Sequence, residues 1–256
     1  LGDVYKRQFS RTVTRPSFIE MAPFLYQESY GSAQIRGNAD LQNGYNYNID
    51  LRYELFEKNG DMLSITAYYK HLKAPIERVQ TLSGGSAVHS FRNADNGMAT
   101  GVEIEFRKEI VKDLRFGVNG SYMYTNVKLP EGGAYTNSQR ALQGASPYLA
   151  NADLTYSPAF SNDRQLSVAL LYNLQGPRIH SVGISGLGDI KQQPVHTLNF
   201  TGSYRFNRRF AVKLQVNDLL NQDILFKQEV PTTGDKVEVE RFRKGTGFEV
   251  GFSYDL

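Results

Sequence analysis

Gly247-Phe-Glu-Val-Gly-Phe-Ser-Tyr-Asp-Leu256 is the stretch on which the reading of this chain turns. Side chains along a strand alternate between its two faces. Phe248, Val250, Phe252, Tyr254 and Leu256 therefore share one face, and Gly247, Glu249, Gly251, Ser253 and Asp255 share the other. The first face is wholly apolar or aromatic; the second is small or charged. A soluble sheet uses such a strand as a half-buried edge. A transmembrane β-barrel uses it as a crossing, with lipid outside and a wet lumen inside.

The bulk numbers narrow the field. Among 256 residues the net charge is only +3, too mild to imply a nucleic-acid partner. No run of apolar residues approaches the ~18 that a membrane helix needs. Mean hydropathy is negative, but barrel strands hide their apolar residues at every second position, so the average says little. With no Cys, disulfides, thiolate metal sites and Cys nucleophiles are excluded.

The same alternation runs back through the chain. Tyr45, Tyr47, Ile49, Leu51, Tyr53 and Leu55 oppose Asn46, Asn48, Asp50, Arg52 and Glu54. A hairpin turn at Lys58-Asn-Gly-Asp61 follows. Leu63 to Lys70, Val102 to Arg107, Leu114 to Thr125, Ala150 to Tyr156, Leu166 to Leu174, Thr197 to Phe206 and Phe210 to Asn217 repeat the pattern. With Phe9 to Pro16 and the last strand, about ten strands result. Their connections alternate short and long, the long ones falling near 17–44, 78–97, 128–147, 181–193 and 226–238. A Greek-key sandwich does not sort its connections this way. An outer-membrane barrel does, with short periplasmic turns and long extracellular loops.

Aromatic residues make a separate argument. With the C-terminus periplasmic, Tyr45, Tyr47, Tyr69, Tyr122, Tyr124, Tyr148 and Tyr172 gather near the outer interface. Phe106, Phe116, Tyr156, Tyr204, Phe206, Phe210, Phe252 and Tyr254 gather near the inner one. Two girdles are what a barrel in lipid requires. The expected fold is all-β, an antiparallel up-and-down transmembrane β-barrel.

Several segments resemble the TonB-dependent outer-membrane receptors, with a Bacteroidetes flavour. They are Ser10-Arg-Thr-Val-Thr-Arg-Pro-Ser-Phe-Ile-Glu-Met-Ala-Pro23, Gly37-Asn-Ala-Asp-Leu41, Gly101-Val-Glu-Ile-Glu105, Gln143-Gly-Ala-Ser-Pro-Tyr148 and Asn217-Asp-Leu-Leu-Asn221. Ala39 stands where that family has Pro. The closing residues Glu249, Gly251, Tyr254 and Leu256 resemble the signal that bacterial barrels present to their assembly machinery, with Leu256 in place of the commoner Phe. The resemblance implies a plugged, 22-stranded barrel driven by TonB, of which residues 9–256 would be the C-terminal part. Residues 1–8, Leu1-Gly-Asp-Val-Tyr-Lys-Arg-Gln8, resemble an adaptor-derived assembly scar and are set aside.

The implied function is uptake of a scarce solute, by default a ferric siderophore, with outer-membrane lipid and the TonB complex as partners and no cofactor. The inward row Asp50, Arg52, Glu54, Glu103, Glu105, Arg107, Arg115, Asp153, Arg205 and Lys213 is mixed in sign and suits a lumen wall better than a catalytic pair. No catalytic residue and no resident metal site is expected. Ligand contacts are expected in the extracellular loops, with His89 and His180 as candidates. The rival is a self-contained ten-stranded barrel acting as an adhesin or surface hydrolase, the latter using His89 or His180 with Asp95 or Asp189.

Overall fold

The computed structural model describes residues 2–27, 34–57, 59–83, 86–129, 136–160, 163–183 and 186–254. Ten strands follow one another around a single antiparallel sheet. They are β1 (Gly2–Thr14), β2 (Gly44–Phe56), β3 (Met62–Lys73), β4 (Asn96–Val111), β5 (Leu114–Lys128), β6 (Tyr148–Tyr156), β7 (Gln165–Gln175), β8 (Val195–Arg205), β9 (Phe210–Asn217) and β10 (Gly247–Tyr254). Each pairs with its sequence neighbour, as an up-and-down meander requires. Among the described residues β1 and β10 do not pair with each other, so the sheet is an open wall.

Register fixes what each face meets. Phe9, Ile49 and Tyr69 stand side by side across β1, β2 and β3. Leu154 lies between Phe116 and Leu170, and Val212 between Tyr204 and Phe252. This apolar face is the exposed one. The other face carries Glu54, bridged by Lys6 at 2.9 Å and Arg52 at 2.7 Å, and the pair Glu105–Arg107 at 2.7 Å. An amide ladder crosses three strands there: Asn151 donates to Asn119 and Asn173 donates to Asn151. The wall is apolar outside and hydrogen-bonded inside, as the alternation requires. At the short-turn rim Phe206 sits edge-on to Tyr204 at 4.6 Å and stacks with Phe210 at 5.3 Å, completing part of the inner girdle.

The turns follow local chemistry. Lys112-Asp113 joins β4 to β5, and Asp113 takes a left-handed conformation at φ 66°. Asp61 closes the turn between β2 and β3 by accepting from the Glu109 N–H at 2.9 Å and from Asn59 at 2.8 Å. Gly101 has the close approach that its motif demands. A Cβ there would lie 2.6 Å from the Tyr68 hydroxyl, so only glycine lets that ring cross the inner face.

Two features differ from the sequence expectation. The long connections are not irregular: Ile76–Ser83 with Ser86–Asn93, and Ile224–Val230 with Asp235–Phe242, are hairpins standing above the wall. Their strands are too short to cross a membrane, which kept them out of the strand count. In addition, β1 begins at Gly2 rather than Phe9, because main-chain pairing to β2 is blind to side chains and continues to Phe56. Those extra residues put Asp3 and Arg7 on the lipid face, Arg7 beside Leu51 near mid-strand.

A cation at the bilayer midplane of a barrel costs about 2–4 kcal/mol. Arg7→Leu is therefore expected to stabilise the folded chain in lipid bilayers by about that amount, read from urea unfolding. No gain would mean that this face of β1 does not meet lipid.

Candidate functional site

Among the described residues, the buried apolar cluster lies above the wall, not within it. Ala94, Val127, Leu129 and Val182 form a buried apolar cluster with Leu142 against it. They come from the long connections after β3, β5 and β7 and from the tip of β5. Short turns at the opposite rim identify this end as extracellular. Three loops are thus fused into one canopy.

Polar groups make the fusion specific. Glu77, on the hairpin strand Ile76–Ser83, is 2% exposed. It bonds Arg140 at 2.7 Å, and both side chains are buried. Gln139–Arg140 is a two-residue strand that pairs with the tip of β5, placing Arg140 beside Val127. Gln143 accepts from the Arg78 N–H at 2.7 Å and donates to the His180 carbonyl, tying all three loops. Burial pushes the Glu77 carboxyl above its usual range, against the pull of Arg140. Asp189 adds to the upward push and itself accepts from the Gly183 N–H at 2.9 Å.

The two candidate histidines serve this architecture. His89 is 4% exposed. Its Nδ1 accepts from Arg78 Nε at 2.9 Å, which leaves Nε2 to carry the ring proton toward Ser181 Oγ at 3.3 Å. Both ring nitrogens are engaged inside the canopy. His180 packs edge-on to Phe226, ring centroids 4.9 Å apart. Asp95 and Asp189 lie in the canopy as well, Asp95 exposed and Asp189 buried. Glu249 and Gly251 lie on the inner face of β10 and Tyr254 on its outer face. Leu256 is outside the described residues.

The motif segment after β1 also folds into the canopy. Ser17 caps the single-turn helix α1 (Phe18–Met21), and Glu20 reaches back to the Ser17 N–H, a reciprocal capping box. Gly37 lies against the backbone of Glu20 and Ala22 with no room for a Cβ. Asn93 clamps the segment to the wall by bonding Gln42 and the Ala74 carbonyl, each at 2.9 Å.

A cavity of about 640 Å³ opens where the wall is incomplete. β6 joins β5 only as far as Tyr122, and Gln139–Arg140 rejoins it at Val127. Between them the chain detours, held by the Met123 N–H on the Pro147 carbonyl and the Leu142 N–H on Thr125. Tyr122, Tyr124, Arg140, Arg178, Asp189 and Lys191 line the gap. Its volume suits a small ligand. Arg140 is already matched by Glu77, and Arg178 and Lys191 still outnumber Asp189, so the field favours an anion. The Nε of Arg140 is buried with no protein acceptor, leaving a hydrogen-bonding donor unspent. Nothing in local sequence marked this site, because its members lie up to 69 residues apart and only the folded loops bring them together.

Breaking a buried pair on one side leaves an uncompensated charge and costs about 3–5 kcal/mol. Glu77→Ala or Arg140→Met alone should therefore loosen the canopy by that order, while the double variant Glu77→Leu/Arg140→Met should cost much less. Hydrogen exchange of residues 76–93 and 138–147 measures it; equal single and double effects would refute the pairing as the latch.

The outermost hairpin gives a pH test. Asp223 is held low by Arg243 and then Arg241, and Glu238 is held low by Arg241 at 2.7 Å. Carboxylates with depressed folded values contribute stability that is present above about pH 4 and lost as pH falls below it. Proteolysis within residues 224–242 should accelerate on acidification from pH 5 to pH 2; a flat profile would show that these exposed ion pairs do not hold the hairpin.

Comparison with known proteins agrees with this geometry. Residues 5–254 match the outer membrane protein beta-barrel family. No curated protein matches the sequence. Among solved structures, a point variant of the ferric enterobactin receptor PfeA from Pseudomonas aeruginosa superposes at TM-score 0.62 with 16% identity, over 98% of this chain and 38% of that one. The siderophore receptor PirA from Acinetobacter baumannii gives 0.62 at 14% identity, covering 98% and 39%. The copper transporter OprC gives 0.65 at 14%, covering 98% and 37%. The chain thus spans under two fifths of the length of the structures it matches, and at these identities they speak for the fold. The receptor resemblance drawn from the motifs is met in that fold. By its matched family and its wall, the chain belongs to the outer membrane protein beta-barrel family and resides in the bacterial cell outer membrane.

Proposed function

We propose that this chain is the C-terminal wall and part of the extracellular canopy of a TonB-dependent receptor that imports a scarce small solute, with a ferric siderophore as the cargo class. The carrying observation is the cavity at the canopy, where Arg178 and Lys191 outnumber Asp189, Arg140 is matched by Glu77, and the buried Arg140 Nε is without an acceptor. Such a site favours an anionic chelate over a neutral or cationic solute. One of the similar structures is named a ferric enterobactin receptor, one a siderophore receptor and one a copper transporter, which supports metal-related cargo.

In this reading the chain performs no covalent chemistry. The canopy captures, and the inner face offers bonded amides and paired charges along the lumen. Energy from the TonB complex would enter through a plug outside the 256 residues. The residues Glu249, Gly251, Tyr254 and Leu256 would present the barrel to its assembly machinery. The free main-chain edges of β1 and β10 need neighbouring strands, since lipid offers no hydrogen bonds. A self-contained barrel would need those two edges to pair with each other, a pairing absent among the described residues.

Fluorescence quenching of the whole receptor by a panel of ferric chelates tests this. Anionic chelates should bind, and Arg178→Gln/Lys191→Gln should weaken them roughly tenfold or more, a loss of about 1.4 kcal/mol. Failure of every ferric chelate to bind would remove siderophores as the cargo; binding that ignores the double variant would move the site elsewhere.

A further inference from the structure

Charged side chains on the lipid face of the wall are few, and three of them gather at one place. In the row formed by Arg11, Tyr47 and His71, the residues are direct cross-strand neighbours on β1, β2 and β3. The row above runs Val13, Tyr45, Lys73, Asn96 and Lys128, across β1 to β5. Directly below lie Phe9, Ile49 and Tyr69, all exposed and apolar. The patch therefore has cations at the level of the outer aromatic girdle and a hydrocarbon surface beneath them.

Arg11 is held rather than loose. Its guanidinium stacks over Tyr45, 4.5 Å from the ring centroid, and lies 5.7 Å from the Tyr47 centroid. The His71 ring flanks Tyr47 from the other side at 6.3 Å. Stacking uses the faces of the guanidinium and leaves its in-plane N–H donors to point outward. Among the described residues, neither Arg11, Lys73 nor Lys128 has a carboxylate within ion-pair distance. Contrast the inner face of the same strands, where Lys6 and Arg52 both bridge Glu54. Unneutralised cations on a lipid-facing surface call for an anion supplied by the lipid.

We propose that this outward patch of β1–β3 binds the phosphate of an outer-leaflet lipid, with Arg11 and Lys73 on the headgroup and Phe9, Ile49 and Tyr69 along an acyl chain. Tyrosines belong at the headgroup level, and basic side chains near a membrane surface attract anionic headgroups. A planar, pre-oriented Arg suits two phosphate oxygens at once. The site is on the opposite side of the wall from the lumen and is independent of the cargo cavity.

The test is native mass spectrometry of the whole receptor in detergent micelles, titrated with dioleoyl phosphatidic acid. The lipid should be retained by the wild type. Either Arg11→Gln or Lys73→Gln should weaken retention about fivefold, and the pair on the order of thirtyfold. Lys70→Gln, on the inner face of β3, should leave retention unchanged. Should the double variant fail to fold, the two single variants decide the matter. Unchanged retention in the variants would overturn the proposal. So would equal retention of dioleoyl phosphatidylcholine, which lacks net negative charge. Displacement by excess inorganic phosphate would show a site for free anion and refute the lipid assignment.

Discussion

Every backbone N–H and C=O at membrane depth must find a partner within the protein, because lipid offers none. That constraint organises this chain more than any side-chain contact does. It forces strands long enough to cross, pairs each with its sequence neighbour, and relegates irregular chain to the rims. β4 and β5, at 16 and 15 residues, carry the wall beyond the membrane itself. Their upper ends serve as posts for the canopy. The constraint also fixes side-chain composition: once the backbone is satisfied, one face of every strand must suit lipid and the other must suit water.

Above the membrane the rules reverse, and the packing shows it. In the wall, large apolar residues are exposed, because lipid is their solvent. In the canopy, Val127 and Val182 are fully buried and Glu77 is buried beside them. Loops that were merely solvated would have no reason to bury an acid. Burying it with Arg140 commits the hairpin at 76–93 and the segment at 138–147 to one arrangement, since either charge alone would be costly there. A cavity lined by β5 and by the connections after β5 and β7 needs that commitment to keep its shape.

How much of this could be read from sequence follows from the range of each interaction. Period-two alternation is a local property, so the ten wall strands, their order and both girdles were legible. The canopy was not legible, because Glu77 and Arg140 lie 63 residues apart and nothing near either one predicts the other. The hairpin strands at 224–242 do alternate, with Val237 and Val239 against Lys236 and Glu238, but at 7 and 8 residues they are too short for a membrane crossing. Reading them as loop was a consequence of searching for crossings. His89 and His180 were singled out for their place in loops; the fold gives His89 two internal partners and sets His180 against Phe226.

Charge distribution connects these levels. On the inner face of the ten strands, Asp50, Glu54, Glu103, Glu105, Glu109, Asp153 and Glu249 are matched in number by Lys6, Arg52, Lys70, Arg107, Arg115, Arg205 and Lys213. Positive excess sits instead at the cavity, with Arg178 and Lys191 against Asp189, and on the outer rim, with Arg11, Lys73 and Lys128. The small net charge of +3 therefore conceals a division, neutral along the inner face of the wall and cationic at the cavity and the outer rim.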